Sequence, residues 1–375
     1  MQDWLNLKSV INVDSAFCCH SHRNKFTELV RSDEYFVCDQ VKIEKESKIL
    51  KVLHRFGKKL RSVVLASKLS SKQRRSIVKR CRNLTHVRLL HYGAYGPALW
   101  KILTSNLIML DLSATYLDTP AMLSIAQFCS SVRTLGLART YLWDDTLSAF
   151  TEACPHVLHL NIPHNHGLTD SGILTTVVSL KSLRALNIKD NVGLTDASLV
   201  HIYTHCASTL HTLHINCRDV SYTGGRIVPA FSVDTICELL TRCTHLRTFH
   251  IAGYVPPEGV PIQIPSTALC NITTLILEGS VCIVNTDEGS EFCANVHTLI
   301  TDVLYKPALL AQAFIRCYNL RETHLSVSGC DVECFAGLLP FAEALIELLK
   351  SFRPEVVVQC VHTSEDYSEY DVMRM

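Results

Sequence analysis

Two cysteines and two histidines crowd the stretch SAFCCHSHRNKF, residues 15–26. Such side chains bind zinc, and a thiol beside an imidazole makes a nucleophile with its base. A structural zinc site needs four ligands converging on a tetrahedron, with spacings such as C-x2-C and H-x3-H. On a helix, adjacent Cys18 and Cys19 point about 100° apart. Only Cys18 and His22, at i and i+4, share a face; Cys38 offers a third ligand, and no fourth is evident. A Cys–His nucleophile is no better marked, because 17 Cys and 18 His make any single pair uninformative. G-x-S-x-G, Walker A, H-E-x-x-H and dinucleotide fingerprints are missing. The residues therefore point to no catalytic site, no metal and no cofactor.

Eight of the cysteines and seven of the histidines belong to a larger pattern. Segments of the form L-x-x-L-x-L begin at Leu60, Leu84, Leu107, Val132, Val157, Leu183, Leu210, Leu246, Ile272, Val296 and Leu320. Their starts are 24, 23, 25, 25, 26, 27, 36, 26, 24 and 24 residues apart. Each L-x-L core predicts a short strand with alternating faces. Stretches such as LSAFTEAC and ICELLTRC, which follow the strands, have helical apolar spacing. One such unit cannot bury its own apolar face, but stacked neighbours share a continuous core.

A repeat of this length and pattern over residues 60–330 resembles the leucine-rich repeat family. Cys81, Cys129, Cys154, Cys206, Cys243, Cys270, Cys293 and Cys317 each stand just before the next strand, and GLTDSGI and GLTDASL follow two strands. Both features resemble the cysteine-containing subtype of F-box proteins and their relatives. The resemblance implies an α/β fold: a right-handed solenoid, or horseshoe, of about eleven repeats with strands inside and helices outside. An open terminal repeat must be covered. Helical spacing in 1–57, including QVKIEKESKILKVLHRF, predicts an N-terminal helical cap; FAGLLPFAEALIELLKSF predicts a closing helix and EVVVQC a last strand within 331–360. The segment 361–375 is acidic and reads as a disordered tail.

Counting the first apolar residue as position one, positions three and five face the concave wall. His86 and His159 stand in the third row; Arg88, Asp111, Asn161, Asn187, His214, His250 and His324 stand in the fifth. His214 and His250 are expected on adjacent strands, about 5 Å apart. The two rows are mostly neutral and polar, without the Lys and Arg stripe that a phosphate backbone requires. A protein partner fits better than nucleic acid. Two insertions, RDVSYTGGRIVPAF from Arg218 and GYVPPEGVPIQIP from Gly253, interrupt neighbouring units. They bring Tyr222, Arg226, Tyr254, Pro256 and Pro257, residue types that interfaces favour.

Trp4, Leu5, Leu7, Val10 and Phe17, with Val13, Cys18, Arg23 and Phe26, resemble part of an F-box, although its opening Leu-Pro is absent. That likeness implies docking of a ubiquitin-ligase adaptor at the N-terminus. The expected function is a non-catalytic interaction protein, either a substrate-recognition subunit or a scaffold or inhibitor with no ubiquitin role. A third class, nucleic-acid binding through the basic run KQRRSIVKRCR on an outer helix, stays open. The composition, 47% hydrophobic and 19% charged, is that of a soluble, well-packed chain. Residues 1–83 carry 19 Lys/Arg against 8 Asp/Glu, net +11, and the remainder 17 against 27, net −10. This polarity suggests two surfaces with different partners. No apolar run reaches the roughly 20 residues that span a bilayer. The first residues lack a secretory pattern. A cytoplasmic or nuclear setting with reduced thiols is expected.

Overall fold

A computed structural model describes residues 41–43, 61–65, 79–89, 106–115, 117–216, 231–253, 262–279, 281–284, 295–302, 319–327, 346–347, 349–351 and 353–362. The chain divides into two units, Met1–Tyr141 with Asp145–Val157, and Leu142–Asp144 with Leu158–Met375. In the first unit, β1 (Val41–Ile43), β2 (Ser62–Leu65), β3 (His86–Leu89), β4 (Met109–Asp111) and β5 (Thr134–Gly136) run parallel in that order. Helix α1 (Thr119–Ala126) belongs to it, as does α2 (Asp144–Ala153) apart from its first residue.

The second unit begins with β6 (His159–Asn161), α3 (Asp170–Ser179), β7 (Ala185–Asn187), α4 (Asp196–Cys206), β8 (Thr212–Asn216), α5 (Val233–Arg242) and β9 (Thr248–Gly253). Next come β10 (Ile262–Pro265), β11 (Thr274–Gly279), β12 (Val281–Val284), β13 (Thr298–Asp302), β14 (Glu322–Val327) and β15 (Val357–His362). Its main sheet is parallel, in the order β6-β7-β8-β9-β11-β13-β14-β15, while β10 and β12 pair separately.

All eleven repeats start their strand at position three. Positions one, four and six then form the core: Leu183, Leu186 and Ile188 in one repeat, Leu246, Phe249 and Ile251 in another, all buried. Two core places are polar. Thr301, at position six of β13, and Thr323, at position four of β14, bury hydroxyls with no hydrogen-bond partner among the described residues.

The turn motif GLTD explains how neighbouring repeats lock together. Thr169 and Thr195 are the N-caps of α3 and α4. The aspartate that follows each cap reaches into the next repeat. Asp170 accepts from Thr195 N at 2.9 Å, Thr195 Oγ1 at 2.7 Å and Ser198 N at 3.1 Å. Asp144 accepts from Thr169 N and Oγ1 in the same way, at 2.9 and 2.6 Å. Gly172 leaves room for the Asp144 carboxylate, which a Cβ there would overlap.

Cys81, Cys129, Cys154, Cys206 and Cys243 are buried as the repeat predicts, but Cys270 is exposed. The spacing explains the difference. Cys81, Cys129, Cys154 and Cys243 precede position one by three residues, whereas Cys270 precedes it by two and Leu269 takes the buried place. A 3-10 turn, Ser266–Leu269, stands there in place of a helix.

Two further expectations change. Val41–Ile43 lies in a stretch read as helical, yet it is a strand that pairs with β2. Alternation in V-K-I suits a strand, and the pairing satisfies one edge of β2. Ile262–Pro265, read as part of a looped insertion, pairs with Val281–Val284. At the C-terminal end, residues 346–347 and 349–351 are helical, and β15 follows close to the expected last strand.

Candidate protein-binding wall

The predicted fifth-position residues are largely buried against one another. In the first unit, Arg88 and Asp111 are strand partners, with Arg88 Nε 2.7 Å from Asp111 Oδ2. Asp111 Oδ1 also accepts from Ser113 N at 2.9 Å. The next strand supplies Gly136, where a Cβ would stand 2.5 Å from Asp111 Oδ1. A glycine at the fifth position is thus what lets the buried aspartate keep its arginine. His86, one row over, is half-buried, its Nδ1 2.9 Å from Thr85 Oγ1.

In the second unit, Asn161, Asn187, His214 and His250 follow one another in register across β6, β7, β8 and β9. The rings of His214 and His250 are 5.0 Å apart and inclined at 60°. His324 is also buried and lies 2.9 Å from Glu322. His159 is half-buried, and burial, then the nearby Arg184, push its imidazole below the usual range.

Position seven, two residues further along the same face, carries charges that reading positions three and five alone misses. Lys189 Nζ lies 3.1 Å from Glu278 Oε2, and His250 Nε2 lies 3.1 Å from the same oxygen. The lysine crosses β8 and β9 to make this pair. Asn216 and Ala252 hold the intervening position-seven places and are buried. His250 Nε2 donates to Glu278. Its buried Nδ1 has no partner among the described residues.

Burial alone would raise the Glu278 carboxyl, but His250 and Lys189 outweigh it and hold the group well below the usual carboxylate range. Burial, then the neighbouring His250 and Lys189, lower His214 well below 6.5, so it is neutral at pH 7. The cluster therefore pairs its own charges. Asn161 Oδ1 and Asn187 Nδ2, on adjacent strands, are left for water or an incoming group to satisfy.

Outside this cluster, position three supplies the accessible polar surface. Thr212, Thr248, Thr274 and Thr298 stand in register on β8, β9, β11 and β13, each half-buried. Among the described residues no group of three or more His, Cys, Asp and Glu is arranged to hold a metal ion. Within the described residues no helix is long and apolar enough to cross a membrane. Tyr222, Arg226, Tyr254, Pro256, Pro257, Trp4, Leu5, Leu7, Val10 and Phe17, and the Cys18–His22 stretch, lie outside the described residues.

No family model matches the chain. Among solved structures it is similar to a chain in the crystal structure of the Rad7 and Elc1 complex in yeast. The TM-score is 0.55 at 14% identity, over 96% of this chain and 90% of that one. A chain of the TLR13–ssRNA13 complex aligns at TM-score 0.31 and 12% identity, over 86% of this chain and 61% of the other. The first likeness shows a shared fold. Together with the parallel strands in register it fits a leucine-rich-repeat-like solenoid.

Proposed function

We propose that this chain is a non-catalytic protein-interaction module. Its partner lies across the position-three and position-five face of the second unit and meets the two insertions, where Tyr222, Arg226, Tyr254, Pro256 and Pro257 act as anchors. The observation that carries this reading is the composition of that face. Its buried charges are paired internally, while four in-register threonines leave an uncharged row of hydrogen-bonding groups at the surface. Such a face gives a partner orientation without the cost of stripping water from unpaired charges. That a chain of the same fold occurs in a complex of Rad7 and Elc1 supports binding of a protein.

The finer reading assigns residues 1–57 to adaptor docking, 58–330 to the repeats, 331–360 to closure of the last repeat and 361–375 to an acidic tail. Trp4, Leu5, Leu7, Val10 and Phe17 form the adaptor contact, which makes the chain a substrate-recognition subunit of a ubiquitin ligase in the cytoplasm or nucleus. Co-expression with an F-box adaptor tests it. The pair is expected to co-purify, and Trp4→Ala with Phe17→Ala to release the adaptor without lowering the melting temperature. A wild-type chain that purifies folded and adaptor-free would leave the scaffold reading.

A further inference from the structure

Position two, the residue just before each strand, belongs to neither wall row. In the second unit it is Arg184 before β7, His211 before β8, Arg247 before β9, Thr273 before β11, His297 before β13 and Arg321 before β14. Arg184, His211, Arg247 and Arg321 are exposed. Their backbone is held repeat to repeat. Arg184 O accepts from His211 N and Thr212 N at 2.7 and 3.0 Å, and Arg247 O from Thr273 N and Thr274 N at 2.8 and 3.0 Å. His297 O accepts from Arg321 N and Glu322 N at 2.8 and 3.1 Å. The side chains are therefore spaced by about one strand separation, roughly 4.8 Å.

Arg247 is fixed further, its Nη1 donating to the carbonyls of Thr244, Leu246 and Asn271 at 2.9, 3.1 and 3.3 Å. His211 Nδ1 donates to Thr209 O at 2.6 Å, so its Nε2 becomes a donor only on protonation. Beside this row runs the threonine row. The hydroxyls of Thr212, Thr248, Thr274 and Thr298 have no partner among the described residues. From β7 to β13 no Asp or Glu occupies positions one to three. The first is Glu322 on β14, which lies against His324.

We infer that this edge is a docking strip for an extended acidic peptide, an Asp- and Glu-rich segment of a partner lying across the strands from β7 to β14. The inference deepens the protein-binding reading of the same face. Five strand intervals span about 24 Å, which matches about seven residues of extended chain at roughly 3.4 Å each. Guanidinium groups take carboxylates in charge-assisted pairs, and a pinned guanidinium loses little freedom in doing so. The threonine hydroxyls donate to the remaining carboxylate and carbonyl oxygens. Single-stranded nucleic acid fits less well, since bases need aromatic faces to stack on. Among the described residues of the second unit, no exposed Phe, Tyr or Trp stands at this edge.

Fluorescence anisotropy with the full chain and a labelled decaglutamate peptide tests the inference, with decaglutamine and a ten-nucleotide oligouridylate as the other probes. Decaglutamate is expected to bind, and to weaken at least tenfold with Arg184→Glu and Arg321→Glu together. Thr248→Val with Thr274→Val, which keeps side-chain shape, is expected to weaken it several-fold. Oligouridylate binding as tight as decaglutamate, or decaglutamate binding untouched by both variants, would overturn the strip. So would the absence of decaglutamate binding, and the general protein-binding reading would survive that result if partners are still lost from the wall variants tested below.

Discussion

Lys189 and Glu278, 89 residues apart in sequence, meet with 3.1 Å between Nζ and Oε2. Both are mostly buried, so removing one partner strands the other charge. Glu278→Gln is expected to lower stability by about 3 kcal/mol. Replacing both, Lys189→Met with Glu278→Met, is expected to recover most of that loss. A double-mutant cycle in thermal unfolding measures the difference.

Acid acts on the same cluster through two groups, and both signs agree. His214 has a lowered pKa in the fold, so the unfolded chain takes the proton first. Its contribution is complete above 6.5 and declines as pH falls below it. Glu278 is lowered too; its contribution is complete above 4.5 and declines below that. Stability is expected to hold from pH 8 to 7 and to drop from 6.5 toward 5, with a slope of up to about 1.4 kcal/mol per pH unit from His214. His214→Gln should flatten that part of the curve, read as melting temperature against pH.

Gly136 allows Asp111 to reach Arg88. Gly136→Ala is expected to cost about 1–3 kcal/mol, the range for forcing a methyl into a filled space. The loss should shrink when Asp111 and Arg88 are also replaced by Ser and Met, which chemical unfolding of the three variants would show.

The two core hydroxyls make a prediction of gain. Thr301→Val and Thr323→Val keep side-chain shape while removing buried, unpartnered oxygens. Each is expected to stabilise the chain by about 1 kcal/mol, seen as a rise in melting temperature. A fall in either variant would mean that its hydroxyl is satisfied in solution.

Much of the fold was legible because one rule repeats. Position one fixed every described repeat strand to start two residues later, and with it the neighbourhood of His214 and His250, expected about 5 Å apart and found at 5.0 Å between ring centres. Positions beyond the L-x-L core were harder. Lys189 and Glu278 lie on the same strand face as His250, two residues past it, so extending the count would have found them. Position two, with its arginines, likewise stands outside the L-x-L core. Val41–Ile43 was hidden inside a helical-looking stretch because three residues carry too little periodicity to outweigh their flanks. Ile262–Pro265 depends on its pairing with Val281–Val284, a partner that no repeat rule supplies. Cys270 could have been read correctly, since its two-residue spacing from Ile272 already separates it from the buried cysteines.

The central claim is that the second unit's strand face takes a protein partner. Quantitative affinity purification with mass spectrometry tests it most directly. The wild-type chain is compared with Thr248→Glu/Thr274→Glu and with a deletion of Tyr222–Val228, each first shown to be folded. A common set of proteins is expected to be lost from both variants, and at least one, purified alone, to bind the wild type and not the variants. Partners retained equally by all three folded chains would contradict the account.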